Sequence, residues 1–239
     1  MTLFWTRTWD ALASALFPTP CVACPNLIDA HDPPLCPDCW LSLPVFVGPL
    51  CVCGAPLPGS SGEACGRCRR GRSVISMGAS IGPYAGPLRH SVRALKYGRR
   101  HRSAERLAQR LVSTSPCQAV LAASDLILPV PLHANRLRER GFNQAELLAR
   151  AVSERTGVPL SRSLERQRDT PSQTRLSASE RRRNVRNAFG LRGDREVRGA
   201  ITVLLDDVTT TGATIRECAR VLLDAGAREV RSITVARAE

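Results

Sequence analysis

Two groups of side chains in this chain have the types and spacing to do chemistry. The first is the run Val203-Leu204-Leu205-Asp206-Asp207-Val208-Thr209-Thr210-Thr211-Gly212-Ala213-Thr214. Its apolar start predicts a buried strand, and open α/β sheets bind ligands at the carboxyl ends of such strands. The hydroxyl-rich loop then runs into a helix, whose first N–H groups and positive dipole end suit an anion. Gly212 permits close approach and unusual dihedrals. The hydroxyls of Thr210, Thr211 and Thr214 add donors for a phosphomonoester. Asp206 and Asp207 repel phosphate. They suit two ribose hydroxyls instead, or a divalent ion bridging ribose and diphosphate.

The second group is cysteine. Eight of the ten lie between Cys21 and Cys68, as Cys21-x-x-Cys24, Cys36-x-x-Cys39, Cys51-x-Cys53 and Cys65-x-x-Cys68. Eleven residues separate the pairs within each half, so the region reads as one module written twice. Close thiolate pairs joined by a short loop suit tetrahedral zinc, and four sulfurs per ion leave no position for substrate, so the expected role is folding. A disulfide framework is the alternative, disfavoured because no export signal is visible and the expected compartment is the reducing cytoplasm. Cys51 and Cys53 are one residue closer than usual, which leaves open a distorted second site or ligands exchanged between halves. Whether one or two ions bind is likewise open. Cys218 falls on an apolar stripe with Ile215, Ala219, Leu222 and Leu223, and Cys117 is expected in a loop.

The elements that must hold these groups follow from periodicity. Residues 1–20 suggest an amphipathic helix (Leu3, Leu12 and Leu16 buried), residues 21–70 the cysteine module, residues 69–73 a linker, and residues 74–239 an α/β domain. In that domain Ile75, Met77, Ala79 and Ile81 alternate as in a strand. Pro87 opens a helix burying Leu88, Val92 and Leu95 and ending at Gly98, and Ser103 caps another burying Leu107 and Leu111. Strands are expected at Leu126–Val130, Ile201–Leu205 and Val230–Ala236. Helices are expected at Asn143–Arg155, stopped by Gly157, and at Thr214–Ala225, closed by Gly226. Strand–helix alternation predicts a mainly parallel sheet with helices on both faces. No stretch approaches the ~20 apolar residues of a membrane span.

A net charge of +13 attracts polyanions, either nucleic acid or a phosphate-rich substrate. Lys96 is the only lysine, so arginine-biased coding is an equally good origin of the charge. With aromatics at 4%, contact with a single strand would be to phosphate rather than by base stacking.

Residues 203–214 resemble the 5-phosphoribosyl-1-diphosphate (PRPP) signature of type I phosphoribosyltransferases. Residues 129–144, the run Leu95-Lys96-Tyr97-Gly98, and Arg166, Arg168, Thr170, Gln173, Leu176, Arg181, Asn184, Val185 and Phe189 are similar to the ComF/GntX subgroup, which also carries an N-terminal cysteine cluster. The resemblance implies the type I phosphoribosyltransferase fold and a site binding PRPP with Mg²⁺. Asp206 and Asp207 would hold ribose hydroxyls, and Thr209, Thr210, Thr211, Gly212, Ala213 and Thr214 the 5-phosphate. Pro129, Val130 and Pro131 would face diphosphate, with Lys96, Arg136 and Arg140 supplying charge. His133 is a weaker candidate, and His31, His90 and His101 receive no role. A hood loop is expected over Arg166–Arg186, and acceptor specificity within residues 74–100 or 160–200. The implied reaction displaces diphosphate from ribose C1 through an oxocarbenium-like state. Relatives of this kind are linked to natural transformation, which makes single-stranded DNA and competence or DNA-processing proteins expected partners. An active transferase with an unidentified acceptor and a PRPP-sensing regulator stand as alternatives.

Overall fold

The computed structural model describes residues 19–28, 34–57, 64–71, 73–97, 101–169 and 178–238. The helix expected over residues 1–20 lies outside them, except at its end. There Thr19–Pro20 forms a strand (β1) paired antiparallel with Leu27–Ile28 (β2). Gly98, Thr170, Gln173, Leu176 and His31 also lie outside.

Four parallel strands form the central sheet: β3 (Met77–Pro83), β4 (Leu126–Pro129), β7 (Ile201–Thr209) and β8 (Glu229–Arg237), in the order β3-β8-β7-β4. Parallel neighbours require crossovers, and helices supply them on both faces. On one face Ile81, Ile127, Val203, Leu205, Ile233 and Val235 pack with α3 (Gly86–Tyr97), α4 (His101–Ser113), α5 (Ser115–Leu121) and α7 (Gln144–Thr156). On the other, Leu128, Leu204 and Val230 meet Ile215, Cys218 and Leu222 of α9 (Ala213–Asp224). A small antiparallel pair, β5 (Leu164–Arg166) and β6 (Phe189–Leu191), frames the expected hood segment, which includes α8 (Ala178–Val185).

Several expectations shift. β3 does not alternate: residues 78–82 are buried throughout, while Met77 is 39% exposed. The cause is a second layer of backbone. A Cβ on Gly82 would stand 1.9 Å from the Pro44 oxygen, and one on Gly78 2.8 Å from the Cys53 carbonyl carbon. The cysteine region therefore lies directly on this edge strand. Ser103 is no cap; it sits inside α4, buried, and its hydroxyl has no partner among the described residues. Cys117 is not in a loop but fully buried in α5, where burial pushes its thiol up to about 12. α7 follows expectation closely. The Asn143 side chain accepts from the Ala145 N–H, and Gly157 at φ 73° ends the helix. Among the described residues no helix is long and apolar enough to cross a membrane.

Candidate functional site

β7 runs four residues beyond Leu205, so the two acids belong to the strand and, as neighbours, face opposite ways. Asp207 is 7% exposed and accepts from Lys96 Nζ of α3 at 2.9 Å. Asp206 is partly buried, and its Oδ1 accepts from the Asp207 N–H at 2.8 Å. Burial, reinforced by the neighbouring Asp207 charge, raises Asp206 to about 8. Burial opposes the charge on Lys96, but Asp207, then Asp206 and Tyr84, outweigh it and raise the ammonium above its ordinary value. The single lysine thus lies against one of the paired acids.

The loop after β7 turns at Gly212, whose φ of 70° is left-handed, and α9 starts at Ala213. Thr209 O accepts from the Ala238 N–H at 2.8 Å, tying the loop to the end of β8, and Thr211 Oγ1 accepts from Ala213 N–H at 3.4 Å. Among the described residues the N–H groups of Thr211 and Gly212 have no acceptor within the chain. They lie beside the N-terminus of a 12-residue helix, donors of the kind that suit an anion, with Thr210 and Thr214 on either side.

The adjacent strand brings in the second segment. Pro129 pairs with Leu205, and the Val130 N–H donates to Leu205 O at 2.9 Å, so residues 129–132 lie next to the acids. Asn143 Nδ2 holds the Val130 carbonyl at 3.0 Å. α6 (Ala134–Arg140) follows, with His133 as its cap: Nδ1 accepts from the Asn135 N–H at 3.3 Å, a structural duty. Arg140 donates to Gln144 Oε1 at 2.8 Å. Arg136 faces Arg166 of β5, a half-buried guanidinium 5.5 Å from the Phe189 ring centroid. Burial, then Arg136, lowers Arg166, while the charges of Asp169 and Asp206 partly restore it. Cations from α6 and β5 thus gather near the acids at the end of β7.

The cysteines form two clusters, Cys21/Cys24/Cys36/Cys39 and Cys51/Cys53/Cys65/Cys68, each with its sulfurs within 4.8 Å of one another. Cys24 and Cys36 sulfurs are 3.6 Å apart, and those of Cys53 and Cys65 3.8 Å. Tetrahedral zinc with Zn–S near ~2.3 Å gives sulfur separations of about 3.8 Å, whereas a disulfide needs ~2.05 Å. The donor sets therefore fit zinc. Burial works against the thiolate at Cys21, but N–H donors from Cys36, Ala23 and Cys24 outweigh it and lower the thiol to about 7. At Cys65 the N–H groups of Cys68 and Arg67 do the same, to about 6. The short Cys51-x-Cys53 spacing neither prevents closure nor exchanges ligands between halves. Gly54, at φ 75°, turns tightly with its N–H on Cys51 O at 2.7 Å.

Two arginines that sequence reasoning passed over, Arg237 and Arg67, join the second cluster to the sheet and the loop after β7, and a third, Arg216, shares an acceptor with Arg67. Arg237, 7% exposed at the end of β8, donates from Nε to Gly54 O at 3.1 Å and from Nη2 to Cys53 O at 2.5 Å. Arg67, between Cys65 and Cys68, donates from Nη1 to Thr211 O at 2.7 Å and Thr210 O at 3.4 Å. Arg216 Nη2 donates to the same Thr211 oxygen at 3.1 Å. Among so many arginines nothing in the sequence marks these, although the position of Arg67 inside a cysteine pair was a usable signal.

Comparison with known proteins agrees with this layout. Residues 138–239 match the phosphoribosyl transferase domain family, and residues 12–69 the double zinc ribbon domain. The DNA utilization protein YhgH of Salmonella typhi is 38% identical over 183 residues, 75% of this chain and 79% of that protein. Competence protein F of Haemophilus influenzae is 31% identical over 224 residues, 91% and 96% of the two chains. Among solved structures, the glutamine PRPP amidotransferase from B. subtilis gives a TM-score of 0.41 at 21% identity, over 59% of this chain and 30% of that one. A phosphoribosyl transferase domain behind a double zinc ribbon, with relatives matched over most of their length, places the chain in one group: it belongs to the family of competence protein F and the DNA utilization protein YhgH.

Proposed function

We propose that the chain binds PRPP, or a related ribose 5-phosphate ligand, together with Mg²⁺, and that it does so in the cytoplasm as part of the handling of internalised single-stranded DNA. The observation that supports the ligand most directly is the pair of N–H groups at Thr211 and Gly212, without acceptors among the described residues, on the loop that follows Asp206 and Asp207. Thr209–Thr214 receive the 5-phosphate. Asp206 and Asp207 accept from the ribose hydroxyls. Pro129, Val130 and Pro131 face the diphosphate, and Lys96, Arg136 and Arg140 offset its charge. Mg²⁺, when bound, neutralises the diphosphate oxygens and steadies it as a leaving group.

The raised Asp206 suits a group that gives up its proton when cations arrive beside it. The two ribbons, residues 21–70, each hold one structural zinc, and residues 74–239 carry the ligand site behind an amphipathic N-terminal segment over residues 1–20. The net charge of +13 supports contact with DNA phosphates, directly or beside competence and DNA-processing proteins. The test is calorimetric titration of the zinc-loaded protein with PRPP and Mg²⁺: micromolar saturable binding is expected, and absence of binding refutes the ligand. Diphosphate release with candidate bases separates turnover from sensing. Binding of single-stranded DNA should weaken steeply with salt, and salt-insensitive or absent binding refutes direct DNA contact.

A further inference from the structure

The second cysteine cluster sits against the loop that the phosphate would occupy, and the contact is made through one side chain. Arg67 reaches the Thr211 carbonyl at 2.7 Å and the Thr210 carbonyl at 3.4 Å. We propose that Arg67 is a positioning residue for the phosphate loop, through which the second zinc ribbon sets the affinity for a phosphomonoester ligand. The proposal rests on the phosphoribosyl reading of that loop.

The geometry gives a mechanism. A peptide unit is planar and trans, so a carbonyl and the N–H of the next residue point in opposite directions. Holding the oxygens of Thr210 and Thr211 against Arg67 therefore turns the N–H groups of Thr211 and Gly212 away from it. Those two loop donors find no acceptor among the described residues. A cationic donor on a carbonyl also polarises the peptide and strengthens its N–H. Arg216 Nη2, at 3.1 Å from the same Thr211 oxygen, reinforces the orientation from the α9 side. Without these contacts Gly212, at φ 70°, leaves the loop free to rotate its peptide planes and to lose the aligned donors.

Arg67 can do this only while its backbone is held. It lies in α2 (Gly66–Arg69), a four-residue helix that follows one cluster cysteine, Cys65, contains another, Cys68, and is too short to persist alone. Cys65 is its cap residue: the Cys65 carbonyl accepts from Arg69 N–H at 3.0 Å, and the Cys65 N–H donates to Cys51 Sγ at 3.2 Å. Arg237 fastens the other side of the same cluster to the end of β8. The cluster, the arginine and the loop are thus one mechanical unit, and a double ribbon next to a phosphoribosyl fold acquires a use beyond its own stability.

Full-length R67A, R67K and R216A, each assayed for zinc content and unliganded melting temperature, would be titrated with PRPP plus Mg²⁺ and with ribose 5-phosphate. R67A should bind both ligands about tenfold more weakly than wild type at unchanged zinc content and melting temperature, a coupling in the usual range between linked sites. R67K, which offers a point charge in place of a planar fork, should fall between the two. Equal affinity of R67A and wild type overturns the proposal. Should R67A lose zinc, R67K and R216A carry the comparison, and wild-type affinity in both overturns it. Wild type that binds neither ligand refutes the phosphoribosyl reading itself, and the proposal with it.

Discussion

At the scale of single residues the paired acids behave differently although they are adjacent. Asp206 is raised to about 8 because burial and the Asp207 charge both penalise its ionised form. Between its ordinary value of 3.8 and about 8 the native state therefore holds a proton that the unfolded chain has released. Stability contributed by this group falls as pH rises across that window. D206N removes the titration, so its melting temperature relative to wild type should climb from pH 5 to pH 9 in zinc-loaded protein free of Mg²⁺ and ligand. A difference that stays flat with pH would show that Asp206 is not raised. Asp207 has a partner instead, Lys96 at 2.9 Å. K96M should cost about 1–3 kcal/mol by leaving a mostly buried carboxylate unpaired, and less in a D207N background; denaturant melts of the four proteins form the cycle. The identities of both acids were legible in sequence, because two carboxylates after the apolar run Val203-Leu204-Leu205 form a rare pattern. The raising of Asp206 was not, since it comes from burial that only the packed sheet creates.

At the scale of elements, boundaries tracked local chemistry, and errors arose where tertiary contact overrode it. Asn143 and Gly157 bracket α7 as their capping chemistry requires. Ser103 satisfied the same rule on paper, yet α4 begins earlier, and packing of Ala104, Leu107 and Leu111 draws the serine inside. β3 reads as a one-sided strand in sequence but is covered twice, because Gly82 and Gly78 admit backbone from 38 and 25 residues upstream, at Pro44 and Cys53 respectively. Such contacts leave only glycines as a trace. The loop between β7 and α9 offers a clean measure of backbone conformation. A Cβ at Gly212 would meet nothing closer than Thr209 Oγ1 at 3.9 Å, so G212A strains only the left-handed φ. It should cost about 1–2 kcal/mol in denaturant unfolding; a loss several times larger would mean that steric room, and not dihedral, requires glycine there.

At the scale of the whole molecule the ribbons and the sheet are not separable parts. The first cluster shares a core with Ile28, Leu35 and Leu43 that is continuous with Ile81 and Leu88. The second lies on β3 and is tied to β8 and the loop after β7 by Arg237 and Arg67. β3 is an edge strand of the sheet, paired with β8 alone, and its exposed side is met by the Phe46 N–H on Ile81 O at 3.2 Å. An unprotected edge is a liability that proteins cover, and here zinc-held backbone is the cover. The consequence separates a folded-in ribbon from an appended one. Metal analysis should give two zinc ions per chain, one for each four-sulfur cluster. Chelation should then accelerate amide exchange not only in residues 34–57, Phe46 included, and 64–71 but also along residues 78–82, while β4, at the opposite edge of the sheet, keeps its protection. Exchange in β3 that ignores chelation would mean that the sheet closes its own edge, and that the cysteine half contributes to the ligand site through Arg67 alone.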